Sequence, residues 1–124
     1  MDTPRILVVD DEEEICSVTK SLLTKRKFAV STATNGAQAL ESIRKEKPDL
    51  VLLDFRLGDE SGIDILNKLK ALDKNIKVVM VTGLGDEESI RQAIVAGVDD
   101  YIIKPFTSDY LNDVINRKLK TGGA

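Results

Sequence analysis

The chain contains no histidine. That absence removes imidazole as a general base, as a metal ligand and as a phosphate carrier on this chain. Cysteine occurs once, at Cys16, so no internal disulfide can form; lying in a helical pattern, it reads as a small packing residue. The longest apolar runs reach about four or five residues, far short of the roughly 20 that a membrane-spanning helix needs. The opening Met1-Asp2-Thr3-Pro4-Arg5 lacks the apolar region of a signal peptide, which makes the cytoplasm the expected location. A basic excess is missing too. Lys and Arg number 18 against 21 Asp and Glu, a net charge of −3, so the chain carries no general attraction to nucleic acid or anionic membrane. Repeats and low-complexity segments are absent.

What is present is ordinary for one globular domain: 124 residues, 42% hydrophobic and 31% charged, enough to build one core. Short β-rich runs alternate with longer helical patterns. Ile6-Leu7-Val8-Val9 is continuously apolar, as a strand covered on both faces must be. A helix is expected from Glu12 to Lys25, with Ile15, Val18, Leu22 and Leu23 inward and Asp11 with Glu14 as a capping box. Phe28 to Thr32 is a second, weaker strand. Asn35 can cap a helix to Lys45 that turns Leu40 and Ile43 inward. Leu50-Val51-Leu52-Leu53 is the third strand, ending at Asp54. Gly58 to Gly62 is read as loop, followed by a helix to Leu72 that buries Ile65, Leu66, Leu69 and Leu72. Val78 to Val81 ends at Thr82. A helix from Asp86 to Ala96 stops at Gly97, with Ile90, Ala93, Ile94 and Val98 as core. Tyr101-Ile102-Ile103 ends at Lys104-Pro105, and Ser108 caps a last helix carrying Tyr110, Leu111, Val114, Ile115 and Leu119. Lys25-Arg26-Lys27 is expected to be a solvated helix end, and Lys68, Lys70, Lys74 and Lys77 scattered surface charges. The domain is expected over 1–121, with 122–124 a disordered tail or the start of a linker.

Five strand–helix units predict an α/β fold, a parallel sheet with helices on both faces. Right-handed crossovers place every strand's C-terminal end on one edge, where such sheets bind ligands. Asp10 and Asp11 follow the first strand, Asp54 the third, Thr82 the fourth and Lys104 the fifth. Three carboxylates so gathered repel one another and call for a cation. An all-oxygen set favours Mg²⁺, with Mn²⁺ as an alternative. Lys104 is a point charge suited to phosphate, and Thr82 can donate to a phosphoryl oxygen. A carboxylate can be the nucleophile, forming an aspartyl-phosphate while the cations neutralise the transferring group. The set reads as a phosphoryl-transfer site.

The same pieces resemble the CheY-like receiver family of two-component signalling along essentially the whole chain. They are Val8-Val9-Asp10-Asp11, Leu52-Leu53-Asp54-Phe55-Arg56-Leu57, Ser61-Gly62, Val81-Thr82-Gly83 and Ile103-Lys104-Pro105-Phe106. The resemblance implies a flavodoxin-like, doubly wound (βα)5 fold with strand order 2-1-3-4-5. It implies that Asp54 accepts a phosphoryl group from a partner's phosphohistidine. It implies Mg²⁺ held by Asp11 and Asp54, by the Arg56 backbone carbonyl and, mainly through water, by Asp10. Thr82 and Lys104 would contact the phosphate, and Lys104-Pro105 would be a cis peptide. Thr82 and Tyr101 would form the switch. The implied partners are a sensor histidine kinase or histidine phosphotransfer protein and an output domain or target, with a homodimer through the fourth helix, fifth strand and fifth helix also in view. Departures stand beside the match: Gly58 replaces a frequent proline and would loosen its loop, and Gly83 replaces a usual alanine. Arg56 and Leu84 flank the expected phosphate position. Two other readings compete. A small phosphohydrolase would want a second acid two residues after Asp54, where Arg56 stands, and a cap for which no chain remains. A degenerate docking module would not keep the five site residues.

Overall fold

The computed structural model describes residues 3–83 and 87–122. Seven strands and five helices follow in chain order: β1 (Arg5–Val9), α1 (Glu13–Lys25), β2 (Ala29–Ala33), α2 (Gly36–Lys45), β3 (Leu50–Asp54), β4 (Arg56–Leu57), β5 (Glu60–Ser61), α3 (Gly62–Leu72), β6 (Lys77–Thr82), α4 (Glu87–Val95), β7 (Asp100–Ile103) and α5 (Ser108–Gly122). Five strands form one parallel sheet in the order β2-β1-β3-β6-β7. Without the two-residue strands β4 and β5, which pair only with each other, this is the expected 2-1-3-4-5 order. No helix among the described residues is long and apolar enough to cross a membrane.

Alternation along the strands divides the interior in two. Leu7, Val9, Val51, Leu53, Val78 and Met80 face one side and pack with Ala39 and Ile43 of α2, Ile65, Leu66 and Leu69 of α3 and Ala93 of α4. Ile6, Val8, Leu50, Leu52, Val79 and Ile102 face the other and pack with Cys16 and Leu23 of α1 and Leu111, Val114 and Ile115 of α5. A helix layer thus covers each face, which is why the central strands are apolar between their ends.

Several local expectations are corrected. The buried stripe of α1 is Cys16, Thr19 and Leu23, while Ile15 and Val18 are 38% and 53% exposed. The stripe lies one residue round the helix from the one expected. Its cap is Glu12, without a side-chain cap bond, so Asp11 and Glu14 form no capping box. Leu72 and Ile94 are exposed rather than core. The segment 58–62 is not plain loop: Leu57 pairs with Glu60 and Arg56 with Ser61 in a hairpin. Gly58, at φ 61°, takes the first place of its two-residue turn, a conformation glycine adopts without strain. The glycine therefore serves a defined turn. Thr107, not Ser108, caps α5, its Oγ1 accepting the Tyr110 amide at 3.0 Å. Arg26 is not simply solvated; its guanidinium meets Asp109 at 2.6 Å and joins the end of α1 to the start of α5. Lys70 is no scattered surface charge. Its ammonium donates to the Ile76 carbonyl at 2.7 Å and to Asp99 Oδ2 at 2.8 Å, and the same carboxylate oxygen accepts the Val78 amide at 2.7 Å. The expected helix start at Asp86 and the flanking residue Leu84 lie outside the described residues, and α4 is described from Glu87. Helix α5 runs to Gly122, and the rest of the tail expected over 122–124 lies outside the described residues.

Candidate phosphoryl-transfer site

Register builds the site. Val9 pairs with Leu53, which sets Asp10 beside Asp54 at the ends of β1 and β3. Asp54 pairs with Val81, so Thr82 extends one step further along β6. Thr82 pairs with Ile103, and Lys104 follows on the next strand. The Lys104 amide donates to the Thr82 carbonyl at 2.8 Å, which ties the loop after β7 to the sheet edge. The Lys104–Pro105 peptide is cis.

The side chains meet. Lys104 Nζ donates to Asp54 Oδ2 at 3.1 Å and lies 3.8 Å from Asp10 Oδ2. Asp54 Oδ1 accepts the Arg56 amide at 3.1 Å, and Asp10 Oδ1 accepts the Glu12 amide at 3.0 Å. Asp11, Asp54, Arg56, Thr82 and Lys104 line one open depression with Glu12, Phe55 and Gly83. Asp10 sits deeper, beside Asp54 and Lys104 over a small cavity walled by Ile15, Thr19, Phe106 and Leu111. Tyr101 is half-buried against the α2–α3–α4 side of the core. Of the expected site residues, Asp10, Asp11, Asp54, Arg56, Thr82 and Lys104 therefore share this rim, while Tyr101 and Pro105 lie together beside it.

Sequence reading gave no site role to Glu12. Its carboxylate lies with those of Asp10 and Asp11 in a cluster in which each can offer one oxygen, the three lying within 4.8 Å of one another. An acid directly after an acidic pair was the available signal. Gly62 is also part of the support. A Cβ there would stand 2.5 Å from the Asp54 carbonyl oxygen and 2.8 Å from that of Phe55, so only glycine lets α3 begin against the back of the site.

Electrostatics favour a cation. Burial pushes the Asp10 carboxyl up to about 6 from its ordinary 3.8; the Glu12 amide pulls it back, and the charge of Asp54 raises it again. Lys104 is drawn down by burial, but its hydrogen bond to Asp54 and the charges of Asp54 and Asp10 outweigh that and hold its pKa above the usual value. Thr82 is 1% exposed, and among the described residues its Oγ1 has no hydrogen-bond partner. An orphaned buried hydroxyl costs stability unless a ligand satisfies it. Crowded oxygens beside a paired ammonium and a spare hydroxyl fit a divalent cation together with a phosphoryl group.

The raised pKa of Asp10 sets a pH dependence. A carboxyl raised in the folded state stabilises the fold most below its unfolded value and loses that contribution as pH rises through the folded value. The loss therefore falls between about pH 4 and 6. In chelator, Asp10→Asn is expected to raise stability by about 1–2 kcal/mol at pH 8. Each tenfold change in proton affinity is worth about 1.4 kcal/mol, and loss of the weak Lys104 contact offsets part of the gain. At pH 4 the gain should vanish. Urea unfolding at both pH values checks this, and a gain of equal size at each would refute the assignment to Asp10 ionisation.

A doubly wound parallel sheet with an acidic pair, a strand-end aspartate, a buried hydroxyl and a lysine on one rim defines a class: phosphoryl-accepting signalling domains. Comparison with known proteins agrees. The family model of the response regulator receiver domain matches residues 6–116, and the chain belongs to that family. It is 37% identical over 116 residues to the chemotaxis protein CheY of Bacillus subtilis, covering 93% of this chain and 97% of that one. It is 37% identical to the transcriptional regulatory protein ZraR of Escherichia coli over 95% of this chain but 27% of the longer relative. A CheY-like receiver domain from Methanospirillum hungatei superposes with a TM-score of 0.93 at 34% identity over 98% of each chain. The chain is thus a receiver domain of two-component signalling.

Proposed function

We propose that Asp54 is the phosphoacceptor and that the chain catalyses its own phosphorylation, and its own dephosphorylation, with Mg²⁺. The observation that carries this is the Asp54 carboxylate, held at a strand end between the Lys104 ammonium and the Arg56 amide, each at 3.1 Å. Asp11, Asp54 and the Arg56 carbonyl would hold Mg²⁺, with Asp10 acting through water, and the ion would supply charge neutralisation for the phosphoryl oxygens; Mn²⁺ would suit the same oxygen ligands. A carboxylate oxygen of Asp54 bonds to phosphorus as the phosphorus–nitrogen bond of the donor's phosphohistidine breaks. The electron pair leaves with the imidazole, which is protonated from solvent. Lys104 then pairs with the phosphoryl group, and Thr82 Oγ1 gains the acceptor it lacks. Drawing Thr82 toward the phosphate vacates space that Tyr101 fills, and this passes the state of the site to the α4–β7–α5 face.

The donor is a sensor histidine kinase or a histidine phosphotransfer protein. Ile15 and Val18, exposed on α1 beside the rim, give it apolar contact. The output is a separate target or an attached domain; the relative ZraR extends well beyond the part matched here. The α4–β7–α5 face serves as its docking surface or as a homodimer contact. The location proposed is the cytoplasm, with no direct contact to nucleic acid or membrane.

The test is incubation with acetyl phosphate, read by intact-protein mass. One phosphoryl group per chain is expected with Mg²⁺ and none with chelator. No labelling at any Mg²⁺ concentration would favour a docking module over a switch, and continuous turnover of a small phosphomonoester would favour a hydrolase.

A further inference from the structure

We infer that Glu60 is a positioning residue for this site, acting by pinning the β4–β5 hairpin to the N-terminus of α2; the inference rests on the function proposed above. The hairpin carries Arg56, the residue whose carbonyl is proposed to bind the metal. Its two strands have two residues each, and a ladder that short has little stability of its own. It needs anchors. One is Leu57, buried in the core. A second is the Gly62 amide, which donates to the Phe55 carbonyl at 2.7 Å. The third comes from outside the hairpin: Glu60 Oε1 accepts the Gly36 amide at 3.0 Å.

Gly36 is the first residue of α2, and the leading amides of a helix lack partners within it. Asn35 Oδ1 takes the Gln38 amide at 2.9 Å. The Gly36 amide goes instead to a carboxylate 24 positions away, where the positive end of the helix dipole favours it. Gly36 itself keeps the approach open, since a Cβ there would stand 2.7 Å from Glu60 Oε2 and collide with the Ile65 side chain. Glu60 faces Leu57 across the ladder, and the next residue, Ser61, faces Arg56. Fixing Glu60 to α2 therefore fixes the height of Arg56 at the rim. An exposed acid that looks like plain solvated charge thus sets the place of a main-chain metal donor.

The experiment is calorimetric titration of the full chain with Mg²⁺, without phosphodonor, on wild type, Glu60→Gln and Glu60→Leu. Hydrogen exchange of the 56–61 amides is followed in the metal-free state. The glutamine keeps an oxygen acceptor and drops the charge; the leucine drops both. Glu60→Leu should weaken Mg²⁺ binding by roughly 10-fold, the lower end of what losing an outer support does to metal affinity. It should also speed exchange in the hairpin, while Glu60→Gln stays within about twofold of wild type in affinity. Wild-type affinity or unchanged hairpin exchange in Glu60→Leu would overturn the inference and leave the proposed function standing. Equal weakening in both variants would overturn it as well, since charge alone would then be at work. Wild type binding no Mg²⁺ would overturn the functional reading and this one with it.

Discussion

Asp54→Asn is expected to abolish phosphoryl labelling by acetyl phosphate and Mg²⁺ while leaving the fold intact. Asparagine is nearly the same shape, and its carbonyl oxygen can still accept the Arg56 amide that now binds Oδ1 at 3.1 Å. It brings no anionic oxygen to attack phosphorus. It also loses the charge that pairs with Lys104 at 3.1 Å. Labelling should fall by at least about 100-fold, because the nucleophile itself is gone rather than a group that assists it. Intact-protein mass measures the labelling and circular dichroism the fold. If the variant labels as fully as wild type, the nucleophile is another group, and Asp10, which also faces Lys104, is the first to try.

Lys104→Ala carries the second large effect, and it divides between stability and signalling. Without the ammonium, Asp10 and Asp54 face each other with no cation between them. Removing one partner of a fully buried pair costs about 3–5 kcal/mol, but the Lys104 side chain is 38% exposed and solvent screens part of that loss. A loss of about 1–2 kcal/mol is expected at pH 7 in chelator, shrinking toward pH 4 as Asp10 protonates. If the site holds Mg²⁺ as proposed, added Mg²⁺ should recover most of it, because a ligand that binds only the folded state stabilises it. The fold survives, so the signalling effect can be read. The phosphorylated or beryllofluoride-treated variant should not change conformation, because nothing draws the loop after β7 toward the phosphoryl group. Backbone NMR shifts of residues 101–110 report this. A wild-type pattern of shifts in the alanine variant would refute the role given to Lys104.

The sheet and its functional edge were legible in the sequence because one physical signal governs both. A strand buried on both faces must be apolar throughout, so a polar residue at its end stands out. Asp10, Asp54, Thr82 and Lys104 were each found that way. Helix α1 was misread because its buried stripe contains Thr19 and Cys16, whereas Ile15 and Val18 are more apolar and face outward. Hydrophobicity assigns a helix face only when the buried residues are also the greasy ones. The hairpin went unseen because two-residue strands are too short to show any period, and its turn glycine looked like a loosened loop. Lys70 and Glu60 were invisible as structural groups for a different reason. Each acts on main-chain atoms outside its own helix or strand, and a charge pattern carries no information about which amides and carbonyls will need a partner.

The division of the interior by the sheet bears on how such a chain can diversify. Helix α1, with its outward Ile15 and Val18, rests on one apolar compartment, and Tyr101 rests on the other. Tyr101 therefore sits in a packing environment separate from that of α1, whereas α5 shares the α1 compartment and is tied to it through Arg26 and Asp109. A substitution beside Tyr101 can be absorbed without repacking α1, while one on the inner side of α5 cannot.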